Sequence, residues 1–109
     1  ELVNYINLHI GEDLSLKTLG RVTNYNPTYL SRTFKNITRS PLKTYIDEKR
    51  INTAKVLMSR DVPLAEIAMQ VGFQNYSTFY NTFKRLTGLS PERYAREVRN
   101  SGKTEPNIH

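Results

Sequence analysis

The chain has 109 residues and contains no cysteine. This length is typical of one ordinary domain, or of two very small ones that share an element. The absence of cysteine excludes disulfides, thiolate metal ligands and cysteine nucleophiles. No stretch approaches the roughly 18 consecutive apolar residues of a membrane span, and no signal peptide is recognisable. We therefore expect a cytoplasmic protein without a membrane partner.

The net charge is +6 and the pI is about 9.7. Such a balance favours phosphate-bearing partners, nucleic acid first and anionic membrane second, although a merely soluble basic protein would also show it. The distribution of charge favours nucleic acid, because two long windows contain basic residues and no acid. Residues 14–46 include Lys17, Arg21, Arg32, Lys35, Arg39 and Lys43, and residues 67–91 include Lys84 and Arg85.

Apolar residues recur at spacings of three and four, and strand patterns are almost absent, which predicts an all-α fold. Polar caps mark where helices begin, and three of the caps are followed by proline, which costs little at a first helical position. The caps are Ser15, Asn26, Ser40, Asn75 and Ser90. The seven predicted helices span about residues 2–10, 16–22, 27–38, 41–60, 63–71, 76–88 and 91–99.

Two segments of the chain repeat each other, which indicates the duplication of one helical unit. The copies are 48 residues apart in the shorter helix of the unit and 49 residues apart in the longer helix that follows it. One residue has therefore been gained or lost in the turn between these two helices. With only two copies the chain is not a solenoid. The matching residues are 34–38 with 83–87, Tyr45 with Tyr94, and Leu19-Gly20 with Ile67-Ala68.

Each copy reads as a helix-turn-helix, in which a short helix, a tight turn and a longer helix follow one another. A small residue allows the helices to approach, a turn residue tolerates positive φ, and an apolar residue closes the turn onto the core. These positions hold Gly20, Asn24 and Tyr25 in the first copy and Ala68, Gly72 and Phe73 in the second.

The longer helix of each copy is predicted to be amphipathic, with positions taken at about 100° per residue. One side carries an apolar stripe that faces the core. The stripes are Leu30, Phe34 and Ile37 in the third helix and Phe79, Phe83 and Leu86 in the sixth.

The opposite faces of these helices are polar or basic and free of acid, which suits a surface that meets base edges flanked by phosphates. Any surface helix shows a polar outer face, so the interpretation depends on both copies sharing it. The residues are Thr28, Arg32, Lys35 and Arg39 in the third helix, and Ser77, Asn81 and Lys84 in the sixth, with Tyr80 on its flank.

Some residues allow two interpretations. Tyr76 and Tyr80 either contact DNA or are simply exposed rings. Arg50 either contacts phosphate or forms a structural ion pair, for which Glu66 is the candidate partner. Tyr45 and Tyr94 lie on apolar stripes and are expected in the core.

These patterns resemble the DNA-binding domain of the AraC/XylS family of bacterial transcription regulators over nearly the whole chain, from about Leu2 to Arg99. The resemblance includes residues 26–35, Asn-Pro-Thr-Tyr-Leu-Ser-Arg-Thr-Phe-Lys, of which the run 26–32 is most similar to the subgroup fused to two-component receiver domains. It continues in residues 50–54, 66–73, Phe79, 83–84, 87–88 and 90–94.

The resemblance implies one domain over residues 1–100, followed by a flexible tail at 101–109. Within it lie a first helix-turn-helix at about 15–38, a linker helix at about 41–60 and a second helix-turn-helix at about 63–88. The implied partners are a double-stranded DNA operator and RNA polymerase, together with a sensor, receiver or dimerisation domain upstream of a chain that begins with Glu1.

The resemblance also implies that the third and sixth helices enter successive major grooves. The base-reading candidates are Thr28, Ser31, Arg32, Tyr76, Ser77, Tyr80 and Asn81, with Lys35 and Lys84 near phosphate. Three residues depart from the family pattern: Arg39 replaces a usual glycine, Gly20 a usual alanine, and Asn81 a common arginine, which leaves the second copy with less base-reading power.

Other functional classes fit less well. A recombinase or transposase domain would be marked by a neighbouring catalytic domain, and a helical protein-interaction module would show no salt-dependent DNA binding. The chain has only two histidines, His9 and His109, and no convergent carboxylates, so we expect no metal site, catalytic triad, cofactor or enzymatic activity.

Overall fold

The computed structural model describes residues 2–104, with side chains to residue 100. Within this range it contains seven α-helices and no strand, which confirms the predicted all-α fold. Helix α7 extends five residues past its predicted end at Arg99, and residues 105–109 of the predicted tail, with His109, lie outside the described residues. The helices are α1 (Leu2–Leu8), α2 (Leu16–Thr23), α3 (Pro27–Thr38), α4 (Leu42–Met58), α5 (Leu64–Gln70), α6 (Tyr76–Thr87) and α7 (Pro91–Thr104).

The chain divides into two compact units, and the division falls after Arg50, within α4. The first unit contains α1, α2, α3 and the beginning of α4, and the second contains the rest of α4 with α5, α6 and α7. Each unit has its own apolar core. The buried residues are Ile6, Leu14, Leu19, Leu30, Phe34, Leu42 and Ile46 in the first unit, and Ile51, Ala54, Met58, Ile67, Ala68, Val71, Phe73, Phe79 and Phe83 in the second.

Helices α3 and α6 begin in the same way, at an asparagine whose side chain satisfies the free backbone N–H groups of the first turn. The Asn26 side-chain oxygen accepts from the backbone N–H of Thr28 at 2.8 Å, and that of Asn75 accepts from Thr78 at 2.8 Å. Both helices contain 12 residues. The predicted caps and starts of these two helices are therefore confirmed.

The two helices also end alike. The hydroxyl of Thr38 donates to the Phe34 carbonyl at 2.9 Å, and in the second unit the hydroxyl of Thr87 donates to the Phe83 carbonyl at 2.8 Å. The residue after each helix then adopts the left-handed conformation. The same local pattern therefore ends both α3 and α6.

The turn of the second helix-turn-helix unit is longer than that of the first, as the change of offset predicts, although by two residues and not by one. Residues 24–26 connect α2 to α3, whereas residues 71–75 connect α5 to α6. Asn24 has a φ of 64° and Gly72 a φ of 108°, which confirms both as the positive-φ residues of their turns.

The short first turn also explains why a glycine lies at position 20. A Cβ built on Gly20 would lie 3.0 Å from the carbonyl oxygen of Tyr25 and 3.3 Å from the Pro27 ring. The backbone of the turn therefore occupies the space that a methyl group needs. In the second unit the equivalent Ala68 is fully buried, next to the longer turn.

The prediction that Tyr25 closes its turn onto the core is wrong. Tyr25 is 57% exposed, whereas Phe73, its counterpart in the second unit, is 5% exposed and confirmed as a core residue. The shorter turn presents the backbone carbonyl of Tyr25 to Gly20. The ring lies outside instead, 5.4 Å from that of Tyr29.

The predicted core stripes are only partly right. Leu30 and Phe34 are buried as predicted, but Ile37 is 72% exposed. Leu86, the counterpart of Ile37, packs against the second core and is half-buried. A helical wheel gives the direction of a side chain, but it does not show whether a neighbouring element covers that point along the helix.

The prediction of Ser40 as the cap of α4 is also wrong by one residue. The first backbone hydrogen bond of α4 runs from Tyr45 to the carbonyl of Pro41 at 3.0 Å, so α4 begins after Pro41. In α7 the equivalent position is Ser90, whose hydroxyl accepts from the Arg93 N–H at 3.2 Å, as predicted. The serine-proline pair has slipped by one residue between the two copies.

The ends of α3 and α6 give a test of backbone strain. Arg39 has a φ of 64° and Gly88 a φ of 82° at equivalent positions. Because a left-handed conformation costs a residue with a Cβ about 1 kcal/mol or more, we expect Gly88→Ala to lower the free energy of unfolding by about 1 kcal/mol. Arg39→Gly should raise it or leave it unchanged, since glycine relieves the strain but adds entropy to the unfolded chain.

Urea unfolding of both variants, followed by circular dichroism, measures these changes. No Cβ contact would oppose alanine at position 88, so the loss there reports the backbone alone. A clear loss of stability in Arg39→Gly would show that the arginine side chain contributes more than its backbone conformation costs.

Candidate DNA interface

The structure brings four predicted site residues of the first unit onto one surface. Thr28, Arg32 and Lys35 are exposed on α3, and Ser31 is half-buried beside them. Together with two apolar residues they line a shallow depression between α2 and α3. We call this the α2–α3 depression, and its lining residues are Leu16, Pro27, Thr28, Ser31, Arg32 and Lys35.

Leu16 is the member of this surface that the sequence did not single out. It is the first residue of α2, and apolar spacing groups it with Leu19 on the inner side of that helix. Leu19 is fully buried, but Leu16 is 37% exposed and lies outside the buried core of the unit. Only the packing of α2 against α3 shows that Leu16 faces the same surface as Arg32.

The charge around this surface is positive. Lys17 and Arg21 on α2 are exposed, like Arg32 and Lys35 on α3, and no acid lies between residues 14 and 46. Such a surface attracts the phosphates of nucleic acid, because this window adds no carboxylate that would repel them.

Asp13 and Asp47 flank this acid-free window along the sequence, and both have partners. Asp47 is buried, and its carboxylate pairs with Lys43 at 3.1 Å. Asp13 accepts hydrogen bonds at the start of α2 from the backbone N–H of Ser15 and the hydroxyl of Thr18, which lower the pKa of its carboxyl group. Both carboxylates therefore serve local structure.

In the second unit, α6 exposes Ser77, Asn81 and Lys84, and Tyr80 lies half-buried beside them. Phe79 and Phe83 on the same helix are fully buried. The burial of the phenylalanines fixes the rotation of α6, so that the polar residues point away from the core.

Tyr76 differs from the other candidates because its hydroxyl is engaged within the unit. It donates to a carboxylate oxygen of Glu92 on α7 at 2.5 Å, and its ring lies 5.6 Å from that of Phe79. Burial raises the pKa of Tyr76 above its usual range, and the hydrogen bond to Glu92 raises it further. Tyr76 thus connects the start of α6 to α7.

Arg50 is held by the protein itself. Its Nε donates to the Ile10 carbonyl at 3.1 Å and its Nη2 to the Glu12 carbonyl at 2.9 Å, while burial lowers the pKa of the guanidinium. These bonds give Arg50 a structural role, although the acceptors are backbone carbonyls and not the carboxylate of an ion pair. Glu66, the proposed partner, accepts from Gln70 at 3.3 Å.

None of the helices within residues 2–104 is both long and apolar enough to cross a membrane. Over the same residues, no group of three or more histidine and acidic side chains comes together in a way that could hold a metal ion.

Comparison with known proteins identifies the family. A family model described as "Helix-turn-helix domain" matches residues 19–97. Regulatory protein SoxS of Escherichia coli K12 is 30% identical over 99 residues, which cover 90% of this chain and 92% of SoxS. The chain belongs to the AraC-type helix-turn-helix family.

Another relative is the uncharacterised HTH-type transcriptional regulator YobQ of Bacillus subtilis, which is 37% identical over 93 residues. The match covers 84% of this chain but only 39% of YobQ, so the chain spans about two fifths of that relative. YobQ is described as a transcriptional regulator and SoxS as a regulatory protein, and the function of the domain is sequence-specific DNA binding in the regulation of transcription.

Solved structures share the architecture. The C-terminal domain of AraT, a response regulator from Geobacillus stearothermophilus, superposes with a TM-score of 0.83 at 32% identity, over 86% of this chain and 79% of that domain. The DNA-binding domain of AdpA, solved with a target DNA, has a TM-score of 0.84 at 24% identity, over 90% and 89% of the two chains. The AdpA match supports the fold alone.

The hydrogen bond between Tyr76 and Glu92 allows a test of whether the Tyr76 hydroxyl positions α6 or contacts DNA bases. If the bond only positions the helix, Tyr76→Phe and Glu92→Ala should each lower the free energy of unfolding by about 0.5–1.5 kcal/mol. The double variant should then cost less than the two singles together, because the second change removes a bond that is already broken.

Urea unfolding of the four proteins of this cycle measures the coupling, and the base preference of Tyr76→Phe on selected DNA serves as the second readout. A variant Tyr76→Phe that keeps its stability but loses preference at one base pair would show that the hydroxyl reads DNA directly.

Proposed function

We propose that this chain recognises a specific site in double-stranded DNA by placing α3 in one major groove and α6 in another. One observation carries the proposal: each unit holds a 12-residue, asparagine-capped helix whose outward face is polar or basic and contains no acid. An α-helix fits the major groove, where each base pair presents a distinct set of donors and acceptors.

The side chains divide into two roles. Lys35 and Lys84 are suited to phosphate, which supplies much of the affinity but carries no sequence information. Arg32 is suited to the O6 and N7 atoms of guanine, and Asn81 to the N6 and N7 atoms of adenine. Thr28, Ser31, Ser77 and Tyr80 flank these two residues on the same faces, whereas Tyr76 supports α6 from the side.

We also infer that the domain works within a longer bacterial regulator. AraT, a similar structure, is described as a response regulator, which supports a receiver domain as the attached partner among the sensor, receiver and dimerisation alternatives. The family membership supports action in the cytoplasm and contact with RNA polymerase.

The proposal is tested by selecting bound duplexes from a random DNA pool and measuring variants on the selected site. Arg32→Ala should weaken specific binding by about 1–3 kcal/mol and relax preference at one base pair. Arg32→Lys is the matched control, because it keeps the charge but loses the planar guanidinium, and it should keep only part of the preference.

Lys35→Ala should behave differently. A phosphate contact contributes to every sequence, so specific and non-specific affinity should fall together, and the slope of log affinity against log salt should shrink by about one unit. If Arg32→Ala keeps the wild-type ratio of specific to non-specific affinity, base reading in the first unit does not depend on Arg32. If no sequence is enriched from the pool, the proposal itself is wrong.

A further inference from the structure

The α2–α3 depression combines two chemistries that the base-reading roles above do not explain. The Leu16 and Pro27 side chains among its lining residues are apolar, whereas those of Arg32 and Lys35 are positively charged. Leu16 is the first residue of α2, and 37% of its surface is exposed beside the residues proposed to meet DNA. An apolar patch next to an arginine suited to guanine can accept an apolar group of the DNA.

The major groove offers one such group, the 5-methyl of thymine. Arginine occupies the O6 and N7 edge of a guanine, and the base pairs on either side of that guanine then lie within reach of the residues around it. Thr28, one turn before Arg32 on α3, lines the same depression, and its side chain carries a methyl group. The depression therefore matches a thymine beside the guanine.

We propose that the α2–α3 depression is a thymine-methyl subsite, in which Leu16, Pro27 and the methyl group of Thr28 contact the thymine next to the guanine read by Arg32. The inference rests on the proposed function, because it assumes that α3 enters a major groove. It makes Leu16, a residue of the supporting helix, a specificity determinant.

A phosphate group is a poorer occupant of this depression. Leu16 and Pro27 have no side-chain donor, and proline has no backbone N–H. The N–H of Thr28 at the start of α3 already donates to the Asn26 side chain at 2.8 Å, so this helix start has one donor fewer to offer an anion. Both cations of the lining, Arg32 and Lys35, belong to α3.

The experiment replaces each thymine of the selected site in turn by deoxyuridine, which removes only the methyl group. The 109-residue chain should lose affinity at one thymine, next to the guanine whose preference depends on Arg32. The expected loss is about fourfold, the value that corresponds to burying one methyl-sized group.

Two variants assign the effect to the depression. In Leu16→Ala the ratio of the affinities for the thymine and uracil duplexes should fall towards one. Thr28→Ser, which deletes a single methyl group, should reduce this ratio in part. Val22→Ala is the matched control, since Val22 is also on α2, is 47% exposed and does not line the depression. It should keep the full fourfold difference.

Three results would overturn the inference while leaving the proposed function in place. The first is a site that is selected and bound although no thymine in it is sensitive to loss of its methyl group. The second is a sensitivity that persists unchanged in Leu16→Ala and Thr28→Ser. The third is equal weakening of binding to all DNA by Leu16→Ala, which would show that the depression contacts the DNA backbone. Failure to enrich any sequence would contradict the proposed function, which is a separate outcome.

Discussion

The edge-to-face contact between a phenylalanine of the outward-facing helix and a tyrosine of the following helix occurs once in each unit, and the rest of the interface depends on it. The ring centroids of Phe34 and Tyr45 are 5.0 Å apart, and those of Phe83 and Tyr94 are 5.3 Å apart. Such pairs contribute about 0.5–1.5 kcal/mol beyond the burial of their surface. With the phenylalanines buried, α3 and α6 have one allowed rotation each, and the residue two positions earlier, Arg32 or Asn81, must face outward.

The two units keep this geometry while their chemistry has diverged. The asparagine caps and the threonine bonds at the helix ends repeat closely, because they are local solutions to the unsatisfied groups of a helix end. The two units differ in residue type at the left-handed position that ends the helix and on the outward face. Arg39 takes the left-handed position that Gly88 takes in the second unit, and Arg32 lies where Asn81 lies. We infer that the duplication preserved the scaffold and left the outward faces free to recognise different bases.

The sequence predicted those features that depend on short-range physics. Helix starts at Asn26 and Asn75 follow from caps, and the positive φ of Asn24 and Gly72 follows from residue type. What it missed depends on tertiary packing. Ile37 and Leu86 occupy equivalent positions, but Leu86 packs against the second core whereas Ile37 is exposed. The helical period alone cannot predict this difference.

In the candidate site, too, some residues follow from the local sequence pattern and others only from tertiary packing. The helical period placed Thr28, Arg32 and Lys35 on one face without any knowledge of the fold. Leu16 could not be added from sequence, because its inclusion depends on the closeness of α2 and α3, which the short turn and Gly20 make possible. The engagement of Tyr76 by Glu92 was equally invisible, since 16 residues separate the two partners along the chain.

The most direct test of the central claim is an NMR titration of the 109-residue chain with a selected duplex, observed through backbone amide signals. We expect the largest changes on the outward faces of both α3 and α6, around Arg32 and Asn81, with little change at Leu8 on α1 and Val56 on α4, which are exposed elsewhere in their units. Changes confined to α1, α4 or α7, with α3 and α6 unaffected, would contradict the claim that the repeated helices read DNA.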